Sequence, residues 1–149
     1  MSKTLINYDL VVQELSKGLV GKEDDIALCM NLLPHLALAE FRTIRYGSGR
    51  QRGVTAHAVK TAATNKGKTL YFVHSAPLRD ELIQRLEAAG IREGVTVVVG
   101  YLPENWQGET YDTVIIDETG FFFNKFSFDK IYRSLVPVVS DDVVIHLIN

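Results

Sequence analysis

From Phe41 onward the chain alternates short apolar runs with helix-length stretches, and this alternation limits the possible folds more than any other feature. Thr69 to His74 reads TLYFVH and Val95 to Val99 reads VTVVV. Thr113 to Ile116 reads TVII, Val143 to Ile148 forms a last strand, and Arg42 to Tyr46 is a shorter one. Continuous β-branched runs suit strands covered on both faces. Helices are expected between them. Thr55 to Thr64 is rich in alanine and closed by Asn65 and Gly67. Pro77 to Ala89 repeats Leu78, Leu82 and Leu86 at i+4, with Ser75 as its cap and Gly90 as its stop. Ser127 to Leu135 ends before Pro137. Apolar strands separated by helices predict a mostly parallel sheet with helices on both faces, an α/β fold. Ligands of such sheets sit outside the carboxyl ends of the strands. The chain places its unusual polar groups there: a glycine-rich loop, Asp117-Glu118, and Asn149.

Residues 1–41 read differently, as an N-terminal helical segment packed on the core of residues 42–149. Asp9 to Lys17 is a short amphipathic helix ended by Gly18. A longer helix starts near Lys22, with Glu23, Asp24 and Asp25 in its first turn and Pro34 as a kink or break. A length of 149 residues fits a single domain. A net charge of -2 argues against attachment to nucleic acid by bulk charge, though not against a local basic patch. The single cysteine, Cys29, excludes an internal disulfide and a cysteine-based metal cluster. With no apolar run of membrane-spanning length and no signal-peptide pattern, a cytoplasmic location without membrane contact is expected.

The loop between the first strand and the alanine-rich helix is the first chemical candidate. A P-loop, G-x-x-x-x-G-K-[ST], cradles phosphates with backbone N–H groups, reaches the β/γ-phosphates with lysine and binds Mg²⁺ with its hydroxyl. The matching positions read Ser48-Gly49-Arg50-Gln51-Arg52-Gly53-Val54-Thr55. The second glycine and the hydroxyl of Thr55 are present; serine replaces the first glycine and Val54 replaces the lysine. The second candidate is the acidic pair. An apolar strand ending in Asp117 and Glu118 presents both carboxylates rigidly at its tip. Asp117 suits Mg²⁺ and Glu118 suits polarising an attacking water. A solvated loop start is the bland alternative.

These segments resemble the first RecA-like domain of helicases in superfamilies one and two and of phage terminase large subunits. Gly49-Arg50-Gln51-Arg52-Gly53 is similar to the G-R-Q-x-G-K-T form of their loop. Lys68 to Ser75 resembles the strand after their first helix, and Tyr111 to Glu118 resembles their y-D-x-V-I-I-D-E segment. The resemblance runs from Arg45 to Asn149. It implies a P-loop NTPase fold with three layers. It further implies phosphate binding by Gly53, Val54 and Thr55, Mg²⁺ contact from Thr55 and Asp117, a catalytic role for Glu118, and a γ-phosphate sensor at Asn149. ATP with Mg²⁺ is the implied ligand, and nucleic-acid-processing machinery the implied setting.

The departures matter for activity. A charge-assisted hydrogen bond contributes about 1.5–3 kcal/mol. Without the lysine, triphosphate should bind roughly ten- to hundredfold more weakly, and hydrolysis should suffer further because transition-state charge is left unneutralised. On this resemblance, an arginine finger is expected to come from a partner. The literal G-K-T at Gly67-Lys68-Thr69 is a decoy, because it leads from helix to strand rather than from strand to helix.

Other features carry two readings each. Arg42, Arg45, Arg50 and Arg52 form a basic cluster suited to phosphates of nucleotide or nucleic acid, or simply to a solvated edge. The four histidines, His35, His57, His74 and His146, show no ligand spacing; core or surface roles are the default, with His57 placed to touch a phosphate. Phe121, Phe122 and Phe123, with Phe126 and Phe128, suit a core or a partner-binding patch. Trp106 and Tyr111 suit a loop anchor or a base-stacking platform. Two functions follow: a nucleotide-binding domain with weak or absent hydrolysis, or a phage-encoded module that kept the fold and binds a protein partner or a second copy of itself.

Overall fold

A computed structural model describes residues 6–47, 54–64, 67–91, 93–106 and 108–149. Its elements are, in order, α1 (Tyr8–Ser16), α2 (Asp25–Met30), α3 (Pro34–Phe41), β1 (Thr43–Tyr46), α4 (Val54–Thr64), β2 (Thr69–Val73), α5 (Ala76–Ala88), β3 (Val95–Val99), β4 (Tyr111–Ile116), α6 (Thr119–Lys125), α7 (Phe128–Leu135) and β5 (Val139–Ile148), with a 3-10 turn at Val136–Val138. The strands form one five-stranded sheet in the order β1-β5-β4-β2-β3. Every pairing in it is parallel. The α/β class and the parallel sheet expected from the apolar runs are therefore observed.

Alternation along the strands divides the core between two clusters. Leu70, Phe72, Val114, Ile116, Ile145 and Leu147 join Phe122 of α6 and Ile131, Tyr132 and Leu135 of α7. Tyr71, Val73 and Ile115 instead join Tyr8 of α1, Ala58 and Ala62 of α4, and Leu82 and Leu86 of α5. Each large apolar side chain moved from water into such a core stabilises by about 1.5–3 kcal/mol. β2, buried at every position, is the central element of this burial.

Local chemistry explains most boundaries. Asn7 caps α1, Ser75 caps α5 and Ser127 caps α7, each side-chain oxygen accepting a backbone N–H of the first turn. The expected long N-terminal helix is two helices. Asn31 ends α2 in the left-handed region, and Leu33, before Pro34, is extended. Proline disfavours the helical region for the residue before it, so Pro34 begins a helix instead of kinking one. β5 begins at Val139, earlier than the apolar run at Val143. Its register with β4 shifts from Tyr111↔Val139 to Thr113↔Val144, so the polar residues Ser140 to Asp142 sit in an irregular stretch. α6 has no counterpart among the expected helices; its FFF run carries no helical period, yet Phe122 enters the core.

β3 has the two-sided covering that its apolar run predicts. Its side chains touch both core clusters, Val98 one and Val95, Val97 and Val99 the other. Yet all its residues stay partly accessible, because β3 is the outermost strand of the sheet. Covered faces and an open edge give the same apolar composition as a central strand.

Candidate functional site

β1 ends at Tyr46 and α4 starts at Val54, so the segment carrying Ser48, Gly49, Arg50, Gln51, Arg52 and Gly53 links a strand to a helix. Those six residues lie outside the described residues, as do the side chains of Val54 and Thr55, whose backbone opens α4. The acids follow β4. Because every strand is parallel, the carboxyl ends of β1, β5, β4 and β2 share one edge of the sheet, and Gly47, Asn149, Asp117-Glu118 and His74 gather there. The loop strand and the acid strand are not direct neighbours, however. β5 runs between them.

The tip of β5 joins the two. Asn149, exposed, donates its backbone N–H to the Tyr46 carbonyl at 3.2 Å. Gly47 has φ 131, and a Cβ there would collide with the Asn149 backbone. On the other side, the Thr119 hydroxyl is buried and donates to the Ile148 carbonyl at 2.8 Å. The end of β5 thus touches both Gly47, where β1 ends, and the first turn of α6.

Asp117 and Glu118 are both engaged by side chains of or beside β2. The Tyr71 hydroxyl donates to Asp117 Oδ2 at 2.8 Å, and the Glu118 N–H donates to Asp117 Oδ1 at 2.8 Å. Burial pushes the Asp117 carboxyl above its usual value, and these two bonds act against that rise. Burial, followed by the Asp117 charge, pushes the Tyr71 hydroxyl well up, so it remains a donor. Burial and then the same charge also raise Tyr46, at the tip of β1. Glu118 meets His74 Nε2 at 2.6 Å. A carboxylate only accepts, so the imidazole presents N–H there. His74 stacks on Phe121, centroids 5.8 Å apart, and its carbonyl accepts from Lys125 Nζ at 2.9 Å. Glu118 itself holds a left-handed backbone, φ 46 and ψ 56, uncommon for a residue with a side chain. Strained residues of this kind cluster at functional sites.

Several candidates have other roles. Arg42 stands at the opposite edge, where its guanidinium donates to the carbonyls of Val143 at 2.9 Å, Asp142 at 3.1 Å and Val20 at 3.3 Å. It therefore belongs to the junction of the N-terminal segment with the sheet and not to a phosphate cluster; Arg45 is exposed on β1. His57 faces α1, with Asp9 at 3.4 Å and the rings of Tyr8 and Tyr46 around it. Tyr111 is buried and donates to Thr96, so it offers no face to a base. Trp106 packs against the core as a loop anchor. Of the phenylalanines, Phe122 is buried while Phe121 is 60% exposed. The decoy Gly67-Lys68-Thr69 runs into β2, on the helix-to-strand side as expected.

The sequence pattern gives Tyr71 no role, His74 only a core or surface role, and Thr119 none. One signal would have found the first two: when β2 and β4 pair in parallel, the residues ending one run abut those ending the other. Among the described residues no group of three or more His, Cys, Asp or Glu is arranged to hold a metal ion, and no helix is long and apolar enough to cross a membrane. Comparison with known proteins returns no matching family model, no matching curated protein and no matching solved structure.

Proposed function

We propose that the protein is a P-loop-type nucleotide-binding domain, three-layered, that takes ATP at the carboxyl edge of its sheet and hydrolyses it weakly or not at all. The reading is carried by one observation: β1, which leads toward α4, and β4, which leads into the acid pair, end at the same edge of the sheet with the tip of β5 between them. Helices in both core clusters agree with it.

The residues present suit Mg²⁺. Asp117 is an oxygen donor whose raised carboxyl would be relieved by a nearby cation, and each of its oxygens keeps a lone pair beyond the bond it already accepts. Thr55 in the first turn of α4 would supply the hydroxyl. The remaining ligands would be phosphate oxygens and water, so three protein acids are not required. Bound there, the ion would neutralise phosphate charge. Gly49 to Thr55 would cradle the phosphates through their N–H groups, and Asn149 would stand near the terminal phosphate. Glu118 would orient water only through the oxygen not given to His74. With Val54 in the lysine position, the balance favours binding over turnover, beside nucleic-acid machinery of a phage or its host cytoplasm.

Calorimetric titration of ATP with and without Mg²⁺ tests the reading, run on the natural chain, Val54→Lys and Asp117→Asn. Val54→Lys should tighten binding roughly ten- to hundredfold, and Asp117→Asn should remove the Mg²⁺ dependence. Absence of binding in both the natural chain and Val54→Lys would overturn it.

That result would favour the second reading, an interaction module that kept the fold. Its supporting observation lies in the N-terminal segment, where Ile26, Leu28, Met30 and Leu33 are each more than half exposed. Ile26 and Met30, four residues apart on α2, present exposed apolar side chains on one face of that helix.

A further inference from the structure

The two edges of the sheet are finished differently. β1, at one edge, is short, carries Arg45, and has α1 and α3 packed on it. β3, at the other, carries Val95, Thr96, Val97, Val98 and Val99, and among the described residues it pairs only with β2. Natural edge strands are guarded by lysine, proline, bulges or a covering element, because a free row of N–H and C=O groups is a template for another strand. β3 has no charge, no proline and no break in its register. Beside it lies a surface groove lined by Ile83, Leu86 and Ile91, by the acids Glu87 and Glu93, and by Val95 and Val97.

We infer that β3 is a self-association edge, on which a second copy of this chain adds its own β3 in antiparallel register about a twofold axis at Val97. Charge at the two ends of the strand selects both the direction and the occupant. Exposed Glu93 precedes the strand. Tyr101 follows it, 43% exposed, with Lys130 Nζ 5.6 Å from its ring centre. Antiparallel pairing about Val97 sets Val95 opposite Val99 and Glu93 opposite Tyr101 of the second copy. The acid of each copy then meets the ammonium group of the other, twice. Parallel pairing would set acid beside acid. Directly opposed residues share a face, so Val95, Val97 and Val99 of both copies would form one apolar surface running into both grooves. The result is a continuous ten-stranded sheet with a self-complementary, closed interface.

Light scattering behind gel filtration, over a range of concentrations of the full chain, should give a dimer mass that falls to the monomer on dilution. Glu93→Lys and Lys130→Glu should each shift the midpoint at least tenfold toward monomer, and the double exchange should restore it. Circular dichroism would confirm that the variants are folded. In a Cys29→Ser background, Val97→Cys should oxidise to a covalent dimer, since directly opposed strand residues fall within disulfide reach. A monomer at every concentration would overturn the inference. So would a dimer unaffected by both charge changes and not cross-linked at position 97. Capture of a basic extended peptide by a chain that stays monomeric would equally overturn it, assigning the edge to another occupant.

Discussion

Asp117 sits where a carboxylate is costly, and Tyr71 makes it tolerable. The phenol is fully buried, and its hydroxyl reaches Asp117 at 2.8 Å. Hydrogen bonds to charged groups contribute about 1.5–3 kcal/mol, and a buried partner left alone costs a similar amount. Tyr71→Phe should therefore destabilise the protein by about 1–3 kcal/mol in urea melts and push Asp117 further up. Read in a double-mutant cycle with Asp117→Asn, the pair should show coupling of about 1 kcal/mol or more. Additive losses would mean that the bond is not formed in solution. The acids themselves were legible because Thr113 to Ile116, buried at every position, commit the strand to the interior and leave Asp117 and Glu118 as the first charged positions after it. Their partners were not, because Tyr71 and His74 reach them only once β2 is known to lie beside β4. That adjacency is a property of strand order, which no local pattern encodes.

At the scale of elements, the junction between β1 and the loop is set by a close approach of backbones. Gly47 combines φ 131 with the Asn149 carbonyl where a side chain would stand. Gly90, at the end of α5, has φ 80 but open space around it. Alanine at either position pays the left-handed cost, and at Gly47 it must also push β5 away from β1. Thermal melts should show Gly47→Ala losing about 1–3 kcal/mol and Gly90→Ala clearly less. Equal losses would show that the contact with Asn149 contributes nothing. Elements with a local boundary signal, such as Ser75 before α5 and Gly90 after it, could be placed from sequence alone, whereas Pro34 marked a break without showing that a separate helix starts there. β5 and β3 could not be read fully. The early start of β5 depends on a register shift against β4, and the openness of β3 depends on which strand happens to be last.

Across the whole molecule, the face bearing α1 and α4 closes over a buried group of imidazoles and phenols. His146 is buried in β5, its Nδ1 2.8 Å from the Tyr46 hydroxyl, and Tyr46 touches Tyr8 and His57. Asp9 then fastens α1 to α4 through Lys60 at 2.8 Å and His57. Burial, and after it the charge of His57, lowers His146 from 6.5 to about 4. Burial also lowers His57. A depressed folded value means that the unfolded chain takes up the proton first. Stability from His146 is complete above about pH 6.5 and is lost as the pH falls toward about 4. The loss should approach about 1.4 kcal/mol per pH unit within that window, on the order of 3 kcal/mol in all. The lowered carboxylates Asp9 and Asp129 lose their contribution only below their ordinary value of 3.8, so the two effects separate along the pH axis. Urea midpoints measured from pH 7.5 to 4 should decline steadily in the natural chain. His146→Gln, which keeps an acceptor for Tyr46 but cannot titrate, should remove most of that decline and leave the part due to His57, offset by Asp117, whose raised folded value favours the fold as the pH falls. A variant that declined as steeply as the natural chain would place the acid sensitivity elsewhere and would show that protons reach this core without unfolding it.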